Sequence, residues 1–327
     1  MSDAKYDVTA IGNAIVDVIA QAEDSFLDAN GLPKGAMSLI DTDQATKLYG
    51  LMGPAVETSG GSAGNTAAGI AALGGKVAYI GKVADDQLGE VFRHDIRAVG
   101  VTFDTPAIGG QLPTARSFIF VTPDAQRTMQ TFLGACTLIG PDDIDIELVA
   151  DSKVVFIEGY LWDLPAAIES ILKAAKAAKA AGRKVAFTTS DAFCVARFRD
   201  QFLEFIKNDV DILFANESEI LSLFEVEDFD VAIEKARGLA EIVAVTRSEK
   251  GSVVVSGNAT HVIPGQKVDV VDTTGAGDAY AAGFLYGYTQ GKPLEVCGKL
   301  GGIVASEAIS HYGPRAEADL KALTAGV

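Results

Sequence analysis

The chain has 327 residues and a mass of 34.1 kDa, which suits one large α/β domain or two average domains, and its 48% hydrophobic and 22% charged residues exclude a disordered or collagen-like chain. Its 27 Lys and Arg against 44 Asp and Glu give a net charge of −17, the wrong sign for coating nucleic acid or an anionic membrane surface. The cysteines, Cys136, Cys194 and Cys297, are widely spaced and form no CxxC pair, so neither disulfides nor a zinc site is predicted. The amino terminus lacks the pattern of a signal peptide, and a cytoplasmic location is expected.

The N-terminal half predicts strands of two kinds. YDVTAIG, from Tyr6, and KVAYIGKV, from Lys76, are apolar runs typical of buried strands. Residues about 14–40 and about 106–136 instead contain short strands joined by Gly, Pro and Asp turns. Inserted into an α/β chain, these two segments are predicted to form a small sheet that lies as a lid over the crevice of the main domain.

From about residue 150 strands and helices alternate regularly. The apolar runs KVVFIEG, KVAFTTSD, DILFAN and EIVAVTRS are separated by helical patterns, which predicts βαβ units and a parallel sheet covered on both faces. The clearest helix lies between Pro165 and Lys184, with Asp163 as its predicted cap and Gly182 at its end. No linker, repeat or long charge run divides the chain, so residues 1–327 are predicted to form one domain.

A glycine turn follows the strand VDVV and opens an apolar helix. Its residues 272–278 are DTTGAGD, in which Gly275, Ala276 and Gly277 leave backbone amides aimed at one point, so an anion site is predicted. Asp278, next to that site, is suited to remove a proton from a hydroxyl that attacks a phosphoryl group. The alternative is a structural turn with Asp278 as an ordinary first-turn acid. The chain has neither GxxxxGK[ST] nor GxGxxG, which argues against a P-loop and a dinucleotide-binding fold.

Two motifs resemble one family. DTTGAGDAYAAGF, residues 272–284, resembles the C-terminal signature of the PfkB or ribokinase family of carbohydrate and nucleoside kinases, and GGSAGN, residues 60–65, resembles its N-terminal signature. The resemblance extends from about residue 6 to 315. It implies a ribokinase-like three-layer α/β/α fold with a mostly parallel central sheet and a small β-sheet lid. It also implies an ATP- and Mg²⁺-dependent enzyme that transfers the γ-phosphoryl group to a primary hydroxyl, with Asp278 as base and residues 275–277 as the anion hole.

The resemblance also implies an acceptor site. Asp17, in the stretch GNAIVD, would hold sugar hydroxyls together with Gly61 and Asn65. A buried Asp17 needs hydrogen-bond donors, and vicinal hydroxyls supply two. The alternatives are an Asp17 that faces water on an edge strand and an Asn65 that is a polar residue early in a helix. The acceptor-binding residues predicted are Asn13, Asp17, Gly61, Asn65, Glu158 and Arg127, the last resembling a lid arginine that reaches phosphates in nucleoside kinases.

The ATP site is implied in the same way. Asn216 and Glu219 resemble the family's NxxE motif, in which Glu219 would organise Mg²⁺ through water, although the same spacing is that of a capping box. Thr246 and Gly251 resemble the segment that lines the nucleoside of ATP, and a strand followed by a hairpin turn is the alternative. With Gly275 and Gly277 they complete the predicted ATP-binding set.

A monovalent cation is a further implication. Relatives often bind K⁺ beside the anion hole, and the matching positions here are Asp272, Thr274 and the backbone near Gly313. Arg116 and Arg127 both lie in the predicted lid, and both are equally well explained as solvated surface residues.

The acceptor is less closely defined than the reaction. Residues 127–142 resemble most the adenosine kinases and their bacterial relatives, which favours the 5′-hydroxyl of adenosine. A sugar kinase acting on ribose, fructose or 2-keto-3-deoxygluconate is the alternative, in which Glu158 would bond the extra hydroxyls, and a non-catalytic nucleotide or sugar sensor is a third reading. Small-molecule partners and a monomer or homodimer are expected. The aromatic residues that would face a purine, or else pack in the core, are Phe118, Phe120, Phe132, Tyr160 and Trp162.

Overall fold

The computed structural model describes residues 4–124 and 126–327. Its helices and strands alternate along the chain. The strands are β1 Tyr6–Ile11, β2 Ile15–Gln21, β3 Met37–Leu39, β4 Ala55–Gly60, β5 Val77–Ile80, β6 Ala115–Val121, β7 Arg127–Phe132, β8 Ser152–Glu158, β9 Lys184–Thr188, β10 Ile212–Asn216, β11 Ile242–Thr246, β12 Ser252–Ser256 and β13 Ala259–Ile263. The helices are α1 Asp24–Asn30, α2 Thr42–Leu51, α3 Ser62–Ala72, α4 Gln87–Ala98, α5 Ile146–Ala150, α6 Pro165–Ala180, α7 Ala192–Asp209, α8 Glu217–Phe224, α9 Phe229–Ala236, α10 Ala276–Thr289, α11 Leu294–Ala308 and α12 Leu320–Thr324.

Eight of these strands form a central sheet in the order β13-β12-β11-β10-β9-β8-β1-β5. The six strands from β11 to β5 pair in parallel, and β12 and β13 add an antiparallel hairpin at one edge. The predicted mostly parallel sheet is therefore confirmed. Because ligands of open parallel sheets bind beyond the carboxyl ends of the strands, this edge of the sheet is where functional side chains are expected.

Helices cover both faces of the central sheet. Strand side chains alternate between two cores, as in β1. Val8 belongs to the core that also contains residues of α3, α4, α10 and α11, and Ile11 belongs to the core that contains residues of α6, α7, α8 and α9. The parallel strands are thus buried on both sides, which explains why they are continuous apolar runs rather than alternating ones, whereas the edge strand β13 is largely exposed. The three-layer α/β/α arrangement is confirmed.

A second, smaller sheet has the order β3-β7-β6-β2-β4. Four of its strands come from the two predicted insert segments, and the fifth, β4, comes from residues 55–60, outside both of them. Strand β2 lies between β4 and β6, so Asp17 is on an interior strand, where it is 7% exposed, and not on a water-facing edge. The water-facing alternative for Asp17 is wrong because its two neighbours cover β2.

Local signals at helix ends were mostly correct. Helix α6 starts at Pro165 as predicted, and Gly182 adopts the left-handed conformation after its end. The predicted cap is wrong: Leu164 occupies the N-cap position without a side-chain bond, and Asp163 pairs with Arg197 of α7 instead. The Asp163 carboxylate therefore pairs with an arginine that is distant in the sequence and does not cap the helix. Within the described residues, no helix is long and apolar enough to cross a membrane.

Candidate active site

A cavity of about 1720 Å³ runs between the second sheet and the carboxyl ends of the central strands. It continues past the start of α10 to the β11–β12 turn. Fourteen residues predicted from the sequence line it: Asn13, Asp17, Gly61, Asn65, Glu158, Asn216, Glu219, Thr246, Gly251, Thr274, Gly275, Ala276, Gly277 and Asp278. The predicted acceptor, phosphate and nucleoside positions therefore share one continuous space. Arg127 and Asp272 are not among its lining residues.

The turn before α10 presents free backbone donors to this cavity. Gly275 has φ of 74°, which glycine adopts without strain, and a Cβ there would lie 2.5 Å from the Cβ of Pro314. The amide of Thr274 donates to Asp272 at 3.0 Å. Within the described chain, the amides of Gly275, Gly277 and Asp278 donate to no protein acceptor. They are the unpaired donors of a helix start, reinforced by the helix dipole, and they suit an anionic group.

Asp278 is in the first turn of α10, beside these donors. Ser62 Oγ donates to its Oδ1 at 2.6 Å, and Asn65 Nδ2 donates to its Oδ2 at 3.1 Å. Burial raises the pKa of Asp278, while those two hydrogen bonds and the charge of Arg315 lower it in part. A carboxylate held in place with a raised pKa is a better proton acceptor than a free one.

Two more buried carboxyls, those of Asp17 and Glu158, line the cavity. Burial raises the pKa of Asp17 to about 7, against the lowering effect of Arg315 and Arg127. Burial also raises the pKa of Glu158 to about 7. Both Glu158 oxygens are engaged: one accepts from the main-chain and side-chain nitrogens of Asn13, each at 2.8 Å, and the other accepts from the amide of Ala63 at 2.8 Å. Glu158 therefore joins β8 to the β1–β2 turn and to the start of α3.

Arg315 completes this centre and was missed by the sequence analysis. Its Nε donates to Asn65 Oδ1 at 3.0 Å, and its Nη2 donates to the Ser59 carbonyl at 2.6 Å and to Ser59 Oγ at 2.9 Å. It also acts electrostatically on Asp95, Asp17 and Asp278. Arg315 follows the conspicuous GAGD turn by almost forty residues, in a loop without a motif, so no local signal pointed to it.

Asn216 and Glu219 form a capping box and also line the cavity. The Asn216 side chain accepts from the Glu219 amide at 2.9 Å, and a Glu219 oxygen accepts from the Asn216 amide at 3.0 Å. Thr189 Oγ1 donates to the same Glu219 oxygen at 2.7 Å. Both interpretations of the motif are thus compatible, because the buried carboxylate is held by the cap and still faces the cavity.

Arg127 and Asp272 form an ion pair between the second sheet and the phosphate turn. The Arg127 Nη1 to Asp272 Oδ2 distance is 2.6 Å, and both side chains are 7% exposed. Asp272 also accepts from the amides of Thr274 and Gly313. Arg127, predicted to reach phosphates, is therefore paired with Asp272 in this structure, and a monovalent cation at Asp272 would have to share that carboxylate with the guanidinium.

Thr246 and Gly251 lie at the turn between β11 and β12. Gly251 has φ of 86°, and a Cβ there would meet the Ile263 carbonyl at 2.0 Å. The structural interpretation, a strand followed by a hairpin turn, is confirmed by the antiparallel β11–β12 pairing. The turn also borders the far end of the cavity together with the irregular segment 264–270.

Of the two interpretations of the aromatic residues, packing in the core is the correct one for Phe118, Phe120, Phe132 and Trp162. Trp162 packs in the core against Phe187, Phe202 and Phe205, with ring centroids 5.0 to 5.6 Å away. On β6, Ser117 faces the cavity, so the strand alternation turns Phe118 to the opposite side. Phe120 and Phe132 are buried in the same core as Phe118, and of the five aromatics named, Tyr160 lines the cavity.

The wall on this side is aliphatic instead. It is formed by the second sheet and its neighbouring loops, and Ser117 and Thr131, which also line the cavity, lie between Asp17 and Leu39 across the strands. Its residues are Ile15, Met37, Leu39, Met129 and Leu133. Met37 and Leu39 are 52% and 61% exposed, so the wall is open toward solvent on the β3 side.

The free amides at the start of α10 and the adjacent Asp278 carboxylate share one cavity with the buried polar residues Asp17 and Asn65, an arrangement that suits transfer of a phosphoryl group to a hydroxyl. A family model described as pfkB family carbohydrate kinase matches residues 38–320, and the chain belongs to this family. It is a sugar or nucleoside kinase and uses ATP and Mg²⁺, as the family does.

Three relatives illustrate the range of the family. The solved structure of an adenosine kinase from Sinorhizobium meliloti is 57% identical, with a TM-score of 0.90 over 98% of each chain. A structure described as a probable sugar kinase protein from Rhizobium etli CFN 42 is 52% identical, with a TM-score of 0.91 over 98% of this chain and 97% of that one. The adenosine kinase of Saccharomyces cerevisiae is 28% identical over 94% of this chain and 96% of its own length.

Proposed function

We propose that the protein is an adenosine kinase, which transfers the γ-phosphoryl group of ATP to the 5′-hydroxyl of adenosine. The observation that carries this proposal is the aliphatic wall on the β3 and β7 side of the cavity, across the second sheet from Asp17. A nucleoside presents a large flat apolar base on one side of its ribose, and apolar surface favours its burial there. A free hexose or pentose has hydroxyls on all sides and would leave them unpaired against Met129 and Leu133. The rhizobial adenosine kinase structure supports the same choice.

Asp278 is the general base in this proposal. The acceptor hydroxyl lies between Asp278 and the amides of Gly275 and Gly277, loses its proton to Asp278 and attacks the terminal phosphorus. The amides stabilise the charge on the transferred phosphoryl oxygens. Asp17 holds the ribose hydroxyls with Asn13, Gly61 and Asn65. The second sheet acts as a lid, and the whole chain forms one domain.

The proposed ATP and metal sites are based on the polar residues that line the cavity. The described residues contain no group of three or more His, Cys, Asp or Glu that could hold a metal ion. That fits Mg²⁺ carried mainly by nucleotide phosphates, with Glu219 as a contact through water, because Mg²⁺ retains several of its waters. Bound there, Mg²⁺ would neutralise charge on the phosphates. Thr246 and Gly251 border the nucleoside of ATP in this proposal, and K⁺ near Asp272 and Thr274 remains part of it.

A sugar kinase is the second candidate, and the Rhizobium etli relative described as a probable sugar kinase favours it. In that case Glu158 was expected to bond the extra hydroxyls. One oxygen accepts two hydrogen bonds from Asn13 and the other accepts one from Ala63, so Glu158 keeps one lone pair for a sugar hydroxyl. The acceptor assay below decides between the two candidates.

The test is magnesium-dependent ADP release with adenosine, guanosine, inosine, ribose, fructose and 2-keto-3-deoxygluconate. Adenosine should give the highest kcat/KM. Leu39→Ser, in the aliphatic wall, should raise the KM for adenosine by about tenfold, as expected for lost apolar contact in a pocket. Val56→Ser is the matched control, because Val56 is 67% exposed on the opposite edge strand β4 and outside the cavity.

A sugar with a higher kcat/KM than adenosine would contradict the proposed acceptor. So would an equal change in adenosine KM for the Leu39 and Val56 variants, since the wall would then make no specific contact. No ADP release with any acceptor would favour a sensor over an enzyme.

A further inference from the structure

Five elements meet in one hydrogen-bonded chain of side chains behind Asp278. Asp95 of α4 accepts from Ser59 Oγ at 2.5 Å and from the Ser59 amide at 2.8 Å. Ser59 of β4 accepts from Arg315, Arg315 donates to Asn65 of α3, and Asn65 donates to Asp278 of α10. We call the residues Asp95, Ser59, Arg315 and Asn65 the Arg315 relay.

The relay determines which way the Asn65 amide points. The Arg315 Nε–H donates to Oδ1, so the Asn65 NH₂ group must face Asp278. In the flipped orientation the amide oxygen would lie against the carboxylate and repel it, and the NH₂ group would face the guanidinium. With Arg315 present, Asn65 can act only as a donor to Asp278.

Arg315 also brings a positive charge to a cluster of acids. The groups that act electrostatically on Asp278, or that it acts on, are Asp17, Glu158 and Tyr160 from three other elements, and Arg315 opposes the acids. The Arg315 charge lowers the pKa of both Asp278 and Asp17, against the raising effect of burial. Loss of that charge would favour the protonated form of the base.

The position of Arg315 in the chain couples it to the phosphate turn. Two residues before it, the Gly313 amide donates to Asp272 at 3.0 Å, and Pro314 lies against Gly275. The segment 313–315 therefore contacts the anion-binding turn at one end and the residues that hold Asp278 at the other. Phosphate donors and base are aligned through the same three residues.

We propose that Arg315 is a positioning residue for phosphoryl transfer, which orients Asp278 through Asn65 and places a positive charge beside the cluster of acids. The inference rests on the proposed role of Asp278 as base. It predicts two separable effects: one on the rate, through the orientation of Asn65, and one on the pH dependence, through charge.

The experiment compares pH profiles of kcat/KM for Arg315→Lys, Arg315→Gln and Arg315→Met. kcat/KM rises with pH as the base loses its proton. Removing the Arg315 charge should therefore shift the acidic side of the pH profile to higher pH, by about 1 pH unit, in the Gln and Met variants. Lys keeps the charge but cannot donate in the same fork. Arg315→Lys should therefore lower kcat by about tenfold or more and leave the acidic side of the pH profile where the wild type has it.

Arg199→Gln is the control, because Arg199 also bonds a carbonyl and a glutamate, at Ser222 and Glu225, but outside the cavity. Arg199→Gln should change neither kcat nor the position of the acidic side of the pH profile. An acidic side that stays in place in the neutral variants would overturn the inference, since a merely structural arginine lowers stability without moving it. Either neutral variant is sufficient if the other does not fold.

Asp278→Asn separates this inference from the proposed function. A loss of about a hundredfold or more in kcat is expected if Asp278 is the base. A folded Asp278→Asn variant with near-normal turnover would refute the base assignment, and with it any positioning role for Arg315. A strongly impaired Asp278→Asn together with unshifted Arg315 variants would overturn the Arg315 inference alone.

Discussion

At the scale of single residues, the site contains buried carboxyls that differ in the hydrogen-bond donors they have. Asp278 has Ser62 and Asn65, Glu158 has Asn13 and Ala63, and Asp17 faces open cavity. Desolvation raises the pKa of all three carboxyls, and only protein donors or a positive charge lower it again. Asp17, with its cavity-facing oxygens, is the carboxyl best placed to gain donors from a bound ligand.

This difference gives a prediction for stability in the absence of ligand. Asp17 has a folded-state pKa of about 7, above its ordinary value of 3.8, so the folded state binds the proton more tightly. Its contribution to the free energy of unfolding is complete below about pH 4 and is lost as pH rises to about 7, at about 1.4 kcal/mol per pH unit. The free energy of unfolding, measured in urea from pH 4 to pH 8, should therefore fall less steeply with pH for Asp17→Asn than for the wild type.

Asp124→Asn is the control for this series. The pKa of Asp124 is lowered to about 2 by its hydrogen bond to Lys34, so it titrates below the measured range. Its substitution should leave the slope between pH 4 and pH 8 unchanged. Parallel wild-type and Asp17→Asn curves would mean that Asp17 is not held at a raised pKa.

At the scale of elements, the start of α10 depends on two glycines for different reasons. Gly275 needs a left-handed backbone and has Pro314 where a Cβ would be. Gly277 is within the helix. Apart from its chain neighbours and the adjacent helix backbone, no described protein atom lies within 4 Å of the place where its Cβ would be. One glycine is therefore required by the fold, whereas the other leaves open the space over the free amides.

Substituting each by alanine should separate these two requirements. Gly275→Ala should lower the free energy of unfolding by about 2–4 kcal/mol, from the strained φ and the contact with Pro314. Gly277→Ala should unfold no more easily than the wild type, because alanine is favoured in helices, but its methyl group should raise the KM for ATP. The measurements are urea unfolding and ATP kinetics. A similar loss of stability in both variants would contradict this division.

At the scale of the whole molecule, the cavity exists because the second sheet is held over the central one. The Arg127–Asp272 ion pair is a direct link, between the start of β7 and the phosphate turn, and the Arg315 relay is another, between β4 and α10. Arg127 also lies over the Tyr312 ring, 5.8 Å from its centroid. Both links end within a few residues of Gly275, so the position of the second sheet and the geometry of the anion site are coupled.

A double-mutant cycle measures the first of these links. Arg127→Met should lower the free energy of unfolding by about 3–5 kcal/mol, because it leaves Asp272 buried without its partner. Adding Asp272→Asn should recover part of that loss, so the double variant is expected to be more stable than the sum of the single effects predicts. Strictly additive losses in urea unfolding would show that the two residues do not stabilise the molecule as a pair.

Features that depend on neighbouring residues were determined by the sequence alone. The parallel strands from β8 to β11, the glycine turn with free amides before α10, the capping box at Asn216 and the left-handed Gly182 all follow from short-range patterns. Periodicity, capping and glycine conformations act over a few residues. The two kinase motifs lie far apart in the chain, and neither follows a strand of the central sheet. Residues 60–65 follow β4 of the second sheet, and the strand predicted for VDVV, before the glycine turn, is wrong because that segment is irregular. Their meeting in one cavity therefore depends on the tertiary structure.

The tertiary structure decided the features that depend on distant contacts. Asn65 and Arg315 are 250 positions apart and become neighbours only when α3 and the C-terminal loop pack together. Asp163 forms an ion pair with Arg197 instead of capping α6. The alternation of side chains along β6 directs Phe118 away from the cavity, and aliphatic side chains of β3 and β7 line it instead. Whether a charge finds a partner, and which face of a strand meets the ligand, are determined by packing between elements, and no local pattern in the sequence specifies them.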